Sequence, residues 1–212
     1  LVQDYRVAPY CPRCGTGLSD HELSQGYETI KDQSVYVKFQ ATSGKLAELN
    51  ASLLVWTTTP WTLVSNTAVA VNPKIEYQVV EITHEEKTER LVVATNLAAV
   101  LGEERKVLAT FTGAQLENTK YVAPFDLVEI PDAHYIVLAD YVTVEDGTGL
   151  VHQSPAFGAD DFAVCRKYGL PIVNPIAPDG HFLPELNLIG GVFFKDADKP
   201  LIKDLKSRGL LF

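Results

Sequence analysis

Apolar and polar residues alternate along much of this chain. In SVYVKF (34–39), Val35, Val37 and Phe39 share one face, which is the period of a half-buried strand. Similar short segments, rich in β-branched residues, follow it and are separated by Asn-Pro, glycine or charged turns. They are ASLLVWT (51–57), AVAV (68–71), EYQVVEI (76–82), ERLVVA (89–94), RKVLATF (105–111), HYIVLAD (134–140) and GLVHQ (149–153). Such a series predicts a barrel or a sandwich.

Three segments carry helical signals instead. ATNLAAVLGEE (94–104) predicts a short helix that ends near Gly102. ADDFAVCRKYG (159–169) has acids in its first turn and bases in its last. DADKPLIKDLKSRG (196–209) places its apolar residues on one face. We therefore expect a β-rich α+β fold, barrel-like, with a few short helices.

The first thirty residues differ from the rest, because they hold a Cys-x-x-Cys turn among polar residues. Cys11 and Cys14, followed by a glycine, could supply two thiolates of a tetrahedral zinc site. The other two ligands are not evident in the sequence, so only half a site is predicted, and two reduced surface cysteines remain the alternative. We expect residues 1–30 to be a partial zinc-ribbon or linker segment and residues 31–212 to be the main domain.

Composition sets the outer limits of function. The 212 residues are 46% hydrophobic and 21% charged, which is typical of a soluble globular domain. The net charge of −9 argues against a broad basic surface for nucleic acid, although local contacts to an RNA end remain open. Three cysteines, two of them in one knuckle, favour a reducing compartment. We expect a cytoplasmic monomer. Because the chain lacks a starting methionine, we also expect it to be a piece of a larger protein.

DGTGLVHQSPAFGADD (146–161) concentrates candidate chemistry. The Gly-Thr-Gly at 147–149 precedes a predicted strand and lacks a following Gly-Lys-Ser/Thr, so a nucleotide phosphate loop is not expected. His152 and Ser154 do not form a Gly-x-Ser-x-Gly elbow. What remains is His152 at a strand end, with Asp160 and Asp161 opening a helix. Acids at a helix start often only complement the dipole.

WTTTPWT (56–62) places Thr57, Thr58 and Thr59 at the end of another predicted strand, before Trp61. Each hydroxyl can donate and accept a hydrogen bond, and a tryptophan can form a pocket wall. Taken alone, this segment indicates a strand whose threonines are good strand residues and whose tryptophan is a core residue. Together with His152 and a carboxylate from the later segment, it suits a small zwitterion, with the carboxylate for an ammonium and the hydroxyls for water and ester oxygens.

Three segments resemble the editing domain of isoleucyl-tRNA synthetase, known as connective polypeptide 1. They are the two segments described above and YCPRCGTGLSDHELSQGYE upstream of them. The resemblance keeps the same order and extends along nearly the whole chain. The related valyl and leucyl enzymes typically have Thr-Thr-Arg-Pro in the first segment and Pro-Ala-His in the second. This chain has Thr-Thr-Thr-Pro-Trp and Pro-Ala-Phe-Gly at those two places. Val64 and Ser154 depart from the proline and alanine that are common in the family. The HIGH and KMSKS signatures of the ATP-binding parent enzyme are absent, so this chain should not aminoacylate tRNA.

The resemblance implies an editing hydrolase, or proofreading deacylase, acting on Val-tRNA(Ile) and on valyl-adenylate. Such a site is needed because one missing methylene changes binding too little for full discrimination. By resemblance, Asp161 anchors the amino group, His152 lines the side-chain pocket, and Thr57, Thr58 and Thr59 contact the terminal adenosine and place the water. Trp61 forms part of the wall. No metal or cofactor is implied for editing, and the partners are the 3′ end of isoleucine tRNA and the rest of the synthetase.

Two other functions stay open at the level of sequence. The chain could only bind the 3′ end of tRNA, with hydrolysis requiring the parent synthetase, and the acidic net charge supports weak affinity on its own. It could also be a zinc-ribbon barrel with no site. Hydrolysis of Val-tRNA compared with Ile-tRNA distinguishes the first function from the others.

Overall fold

The computed structural model describes residues 6–26, 28, 33–84 and 87–212. Its strands are β1 (Tyr10–Cys11), β2 (Thr16–Gly17), β3 (Val35–Gln40), β4 (Ser52–Thr57), β5 (Ala68–Val71), β6 (Glu76–His84), β7 (Lys87–Ala94), β8 (Arg105–Thr112), β9 (Tyr135–Leu138) and β10 (Val151–Gln153). Its α-helices are α1 (Asp20–Ser24), α2 (Gly44–Glu48), α3 (Gly113–Leu116), α4 (Ala159–Lys167) and α5 (Asp198–Ser207). Two 3-10 helices span Pro60–Ser65 and Thr95–Leu101.

The strands form three sheets. The largest has the order β3-β4-β7-β6-β8, with β4 and β7 parallel and the other pairs antiparallel. A second sheet has the order β10-β5-β9, and β1 pairs with β2. The sheet-rich α+β class is therefore confirmed, whereas the strands of the described residues form no closed barrel. The predicted boundary between residues 30 and 31 lies outside the described residues.

The period-two prediction for β3 is confirmed, because Val35, Val37 and Phe39 are buried while the residues between them are partly exposed. These side chains belong to one core cluster that also includes Val69 of β5 and Ile136 of β9. The core thus lies between the five-stranded and three-stranded sheets. It holds the three-stranded sheet, which carries His152, against the larger one.

Helices are confirmed in the three segments where the sequence predicted them, although residues 95–101 form a 3-10 helix rather than an α-helix. No pattern in the sequence predicts the short helices α1, α2 and α3, each of five residues or fewer, or the 3-10 helix at residues 60–65. Within the described part of the chain, no helix is long and apolar enough to cross a membrane.

Tyr77 connects the large sheet to the chain that leads into β10. Its hydroxyl donates to the Gly149 carbonyl (2.8 Å) and accepts from the Asn72 backbone N–H (3.0 Å). Burial raises the pKa of Tyr77 to about 12. Gly149 has φ +76°, and a Cβ there would lie 2.5 Å from the Ala94 Cβ. The close approach and the buried hydroxyl together set where β10 begins.

We predict that Tyr77→Phe destabilises the fold, because it leaves the part-buried Asn72 N–H and the buried Gly149 carbonyl without their partner. The expected loss in the free energy of unfolding is about 1–3 kcal/mol. The control is Tyr36→Phe, at a tyrosine that packs its ring edge against Phe212, and it should change that free energy by less than about 0.5 kcal/mol. Urea unfolding measures both variants. Equal stability of Tyr77→Phe and the parent chain would contradict the assigned bridge.

Candidate functional site

The chain reverses at the end of β4. The strand ends at Thr57, and a 3-10 helix begins at Pro60, with Thr59 just before it at φ −128° and ψ 70°. Proline suits the first position of a helical turn because its ring fixes φ and no N–H is needed there. The turn directs the hydroxyl-bearing residues toward β10 rather than along the strand.

Three threonine hydroxyls form a chain of hydrogen bonds. Thr57 Oγ1 accepts from the Thr59 backbone N–H (3.1 Å) and lies 3.3 Å from Thr59 Oγ1. Thr59 Oγ1 lies 3.2 Å from Thr62 Oγ1, and the Thr62 hydroxyl donates to the Thr59 carbonyl (2.8 Å). Because a hydroxyl has one hydrogen, placing the Thr62 hydrogen on the Thr59 carbonyl makes Thr59 the donor to Thr62 and Thr57 the donor to Thr59.

His152 completes this chain from the other segment. Its Nε2 lies 3.0 Å from Thr62 Oγ1. The imidazole tautomer sets the direction of this bond: Nε2–H donates to Thr62 when the Thr62 hydrogen lies on the Thr59 carbonyl, and an unprotonated Nε2 accepts when it does not. Nδ1 is buried and has no hydrogen-bond partner among the described residues. Burial lowers the pKa of His152 to about 4, so the ring is neutral at pH 7.

Asp161 lies in the first turn of α4 and contacts the end of β10. Its Oδ2 accepts from the Ser154 backbone N–H (2.8 Å), two residues after His152. Burial raises the pKa of Asp161, the Ser154 N–H opposes that shift, and the negative charge of Asp160 adds to it. Asp160 itself is exposed. The two neighbouring acids therefore have different surroundings, and of the two it is Asp161 whose carboxylate is bonded at the end of β10.

The other two predicted site residues lie outside this cluster. Thr58 is exposed. The Trp61 ring meets Phe157 and Phe194 edge-on, each at 4.8 Å between centroids. It lines a groove of about 960 Å³ whose other walls come from segments 6–12, 155–162 and 172–180. The Trp61 backbone N–H donates to Asp198 (2.8 Å), which joins the 3-10 helix to α5.

The family that this chain resembles commonly has alanine at the position of Ser154. The hydroxyl of Ser154 has a hydrogen-bond partner. Its Oγ lies 2.7 Å from Ser65 Oγ, and the Ser65 hydroxyl donates to the Thr62 carbonyl (3.3 Å). Both serines are fully buried. The extra hydroxyl is thus satisfied within the fold, and it ties the 3-10 helix to the turn after β10.

The structure therefore joins Thr57 and Thr59 to His152, and it places Asp161 at the same strand end. It keeps Thr58 on the surface and directs Trp61 into the adjacent groove. Thr62 was not among the predicted site residues, although it lies within WTTTPWT. Helical spacing from Thr59 could have indicated it, because residues three apart in a 3-10 helix lie on one face.

The cysteine pair lies on the small β1–β2 hairpin. The Cys14 backbone N–H donates to Cys11 Sγ (3.4 Å) and lowers the pKa of the Cys11 thiol, which suits a metal-binding thiolate. Across the described ranges, no group of three or more His, Cys, Asp or Glu side chains could hold a metal ion. Two thiols provide half of a tetrahedral set, so these residues alone do not complete a site.

Comparisons with known proteins identify the family of this chain. The sequence model of the family "Leucyl-tRNA synthetase, editing domain" matches residues 31–191. An isoleucine–tRNA ligase of Streptomyces coelicolor is 65% identical over 215 residues, and one of Thermus thermophilus is 45% identical over 214. Each alignment covers all of this chain but 20% of the relative. The chain thus spans about one fifth of the length of these curated relatives.

Solved structures share the fold at low sequence identity. The crystal structure of GlLeuRS-CP1 has a TM-score of 0.67 at 16% identity, covering 85% of this chain and 96% of that one. The cytosolic leucyl-tRNA synthetase editing domain of P. knowlesi has a TM-score of 0.63 at 13% identity, covering 86% and 96%. These similarities establish the architecture of the chain.

We predict that His152 stays neutral in the folded chain down to about pH 4, whereas an unfolded histidine titrates near 6.5. Between pH 4 and pH 6.5 the unfolded chain binds a proton on this histidine that the folded chain does not bind. The contribution of His152 to the free energy of unfolding therefore falls by about 1.4 kcal/mol for each pH unit below 6.5. NMR titration of the imidazole C2 proton checks the pKa directly. A titration midpoint near 6.5 for His152 would contradict its burial.

Proposed function

Because the chain belongs to the family of leucyl-tRNA synthetase editing domains and matches isoleucine–tRNA ligases over its whole length, we propose that it hydrolyses valine wrongly esterified to isoleucine tRNA. Valyl-adenylate is a second substrate in this proposal. The single observation that supports the proposal most is the hydroxyl and imidazole cluster at the end of β10, with the Asp161 carboxylate bound to the same strand end.

Asp161 is the anchor for the substrate's amino group. One carboxylate oxygen is held by the Ser154 N–H, and a carboxylate has further acceptor capacity. An α-ammonium would form a charge-assisted hydrogen bond with it. The half-buried position strengthens such a pair relative to one in water. The carboxylate must be ionised for this purpose, which matters because burial raises its pKa.

His152 supplies size selection in the proposed pocket. It is buried, neutral and fixed on Thr62, so it presents a rigid wall. A neutral ring can lie against an aliphatic side chain without the cost of desolvating a charge. We propose that the ring accepts valine and excludes isoleucine, which has one more methylene.

Hydrolysis in this site requires an oriented water molecule. The ester that links an amino acid to tRNA is already reactive, so positioning and fixed donors can supply the needed rate. The hydroxyls of Thr57 and Thr59 can rotate and change the direction of their hydrogen bonds, and we propose that they place the water. The exposed Thr58 contacts the terminal adenosine, and Trp61 borders the site through the groove.

The N-terminal hairpin has a separate proposed role. Cys11 and Cys14 would hold half of a zinc site whose remaining ligands come from other parts of the parent synthetase. The zinc would crosslink the hairpin to those parts and would supply no chemistry to the editing site. We also propose a cytoplasmic location, where thiols stay reduced.

The deacylation assay that tests this proposal compares Val-tRNA(Ile) with Ile-tRNA(Ile), and we expect hydrolysis of the first only.

Asp161→Asn keeps an acceptor for the Ser154 N–H but removes the charge. Truncating one side of such a charge pair costs about 2–5 kcal/mol, so the KM for Val-tRNA should rise by about 30-fold or more. The matched control is Asp160→Asn, at the exposed neighbouring acid, which should leave KM within about twofold.

Other outcomes of this assay would be decisive. An unchanged KM in Asp161→Asn would contradict the anchor. If neither tRNA is hydrolysed but a non-hydrolysable valyl-adenosine analogue still binds, the chain is a binding module that requires the parent synthetase for hydrolysis. The net charge of −9 favours that module among the alternatives, because an acidic domain binds tRNA weakly on its own.

A further inference from the structure

The last helix of the chain carries an excess of positive charge. Residues 195–208 hold five of the 18 lysines and arginines and only three of the 27 acids. Lys199, Lys203 and Lys206 of α5 are exposed. They stand four and three positions apart, so they lie on one face of the helix. In a chain with a net charge of −9, this lysine stripe is a local region of opposite sign.

The core holds the other side of α5. Leu201 and Leu205 are fully buried, in the same cluster as Leu63 of the 3-10 helix. Because these two leucines are four positions apart, they too share one face of the helix, and that face is buried within the fold. The lysine stripe is therefore the face that α5 presents to a partner.

Two acidic side chains of α5 have partners outside the lysine stripe. Asp198 accepts the Trp61 backbone N–H (2.8 Å). Asp204 forms an ion pair with Arg208 (2.6 Å), whose guanidinium also donates to the Pro124 carbonyl (2.7 Å). The first carboxylate thus joins α5 to the 3-10 helix, and the second balances an arginine. The positive charge of the lysine stripe remains available for an external anion.

The lysine stripe opposes the stability of the helix that carries it. Like charges three or four positions apart on a helix repel each other, which applies to Lys199 with Lys203 and to Lys203 with Lys206. A cation in the first turn also opposes the helix dipole, and Lys199 is the second residue of α5. Helix stability alone gives no reason for these charges, whereas a negatively charged partner does.

Two features favour RNA phosphates as that partner. Lysine is depleted at protein–protein interfaces, whereas lysine and arginine supply many of the contacts to nucleic-acid phosphates. The lysine stripe also begins one residue after Asp198, which is bonded to Trp61 beside the candidate site. From Lys199 to Lys206 the helix rises about 10 Å, which corresponds to about three phosphates of a stacked strand.

We propose that the lysine stripe binds phosphates of the acceptor end of tRNA, next to the nucleotides that enter the editing site. This inference rests on the proposed function, in which the tRNA 3′ end brings its aminoacyl group to the end of β10. The three lysines do not touch the aminoacyl group. They increase the affinity for tRNA without reading its sequence, because phosphate contacts carry no sequence information directly.

The test is the triple variant Lys199→Gln, Lys203→Gln and Lys206→Gln, with binding of deacylated tRNA(Ile) measured by fluorescence anisotropy at several salt concentrations. Each phosphate contact to a single strand contributes about 0.7 to the slope of log Kd against log salt concentration, so that slope should fall by about two. The Kd at about 0.1 M salt should rise by about tenfold or more. Binding of the valyl-adenosine analogue, which has no phosphate, should stay within about twofold of the parent chain.

The matched control removes the same charge from other surfaces. It combines Lys45→Gln, Lys74→Gln and Lys106→Gln, at exposed lysines on α2, before β6 and on β8. The Kd for tRNA should stay within about threefold of the parent chain, because salt screens distant exposed charges. Urea unfolding of the lysine-stripe variant should show no loss of stability, since the repulsion within α5 is removed.

Two results would overturn the inference. An unchanged Kd and salt slope in the lysine-stripe variant would exclude RNA and leave an acidic protein surface as the partner of α5. Equal losses in both triple variants would show that overall charge, and not the lysine stripe, controls binding. Because these measurements use deacylated tRNA, they do not depend on hydrolysis. The proposed function can therefore fail in the deacylation assay while the lysine stripe is confirmed, and the reverse.

Discussion

The hydrogen bond between Thr62 and His152 depends on one tertiary pairing, that of β10 with β5. The register places His152 opposite Val69, and the His152 ring lies against Thr62 of the 3-10 helix. Residues 62 and 152 are ninety positions apart, and nothing local would bring them together. Tyr77 and the close contact at Gly149 limit where β10 can begin. The site is therefore a consequence of how the two sheets pack.

Burial is the common physical cause of the site's electrostatics. It lowers the pKa of His152 and raises that of Asp161, so both groups are pushed toward their neutral forms. A neutral histidine suits an apolar pocket, whereas a neutral aspartic acid could not bind an ammonium ion. The Ser154 N–H donates to the carboxylate and lowers its pKa, which opposes the effect of burial. In the proposed function, size selection by His152 and anchoring of the ammonium by Asp161 can then coexist at one strand end.

Much of the fold could be predicted from the sequence because strands with one buried face have a visible period of two, as β3 shows. The short helices had no such signal, since a helix of one turn places too few residues on a face to reveal its period. The site was predictable in part. His152 and Asp161 stand in a motif that resembles a known family, while Thr62 matters through a contact made across the fold. Separation of Trp61 from the hydroxyl cluster likewise follows from the 3-10 turn at Pro60, which no periodic pattern indicates.

The central claim is that the end of β10 binds an aminoacyl group, with its ammonium on Asp161 and its side chain against His152. A crystal structure of this chain with a non-hydrolysable valyl-adenosine analogue tests the claim most directly. The account predicts an ammonium nitrogen within about 3 Å of the Asp161 carboxylate, the distance of a charge-assisted hydrogen bond, and valine methyl groups packed on the His152 ring. An analogue bound elsewhere, with its ammonium away from Asp161, would contradict the account.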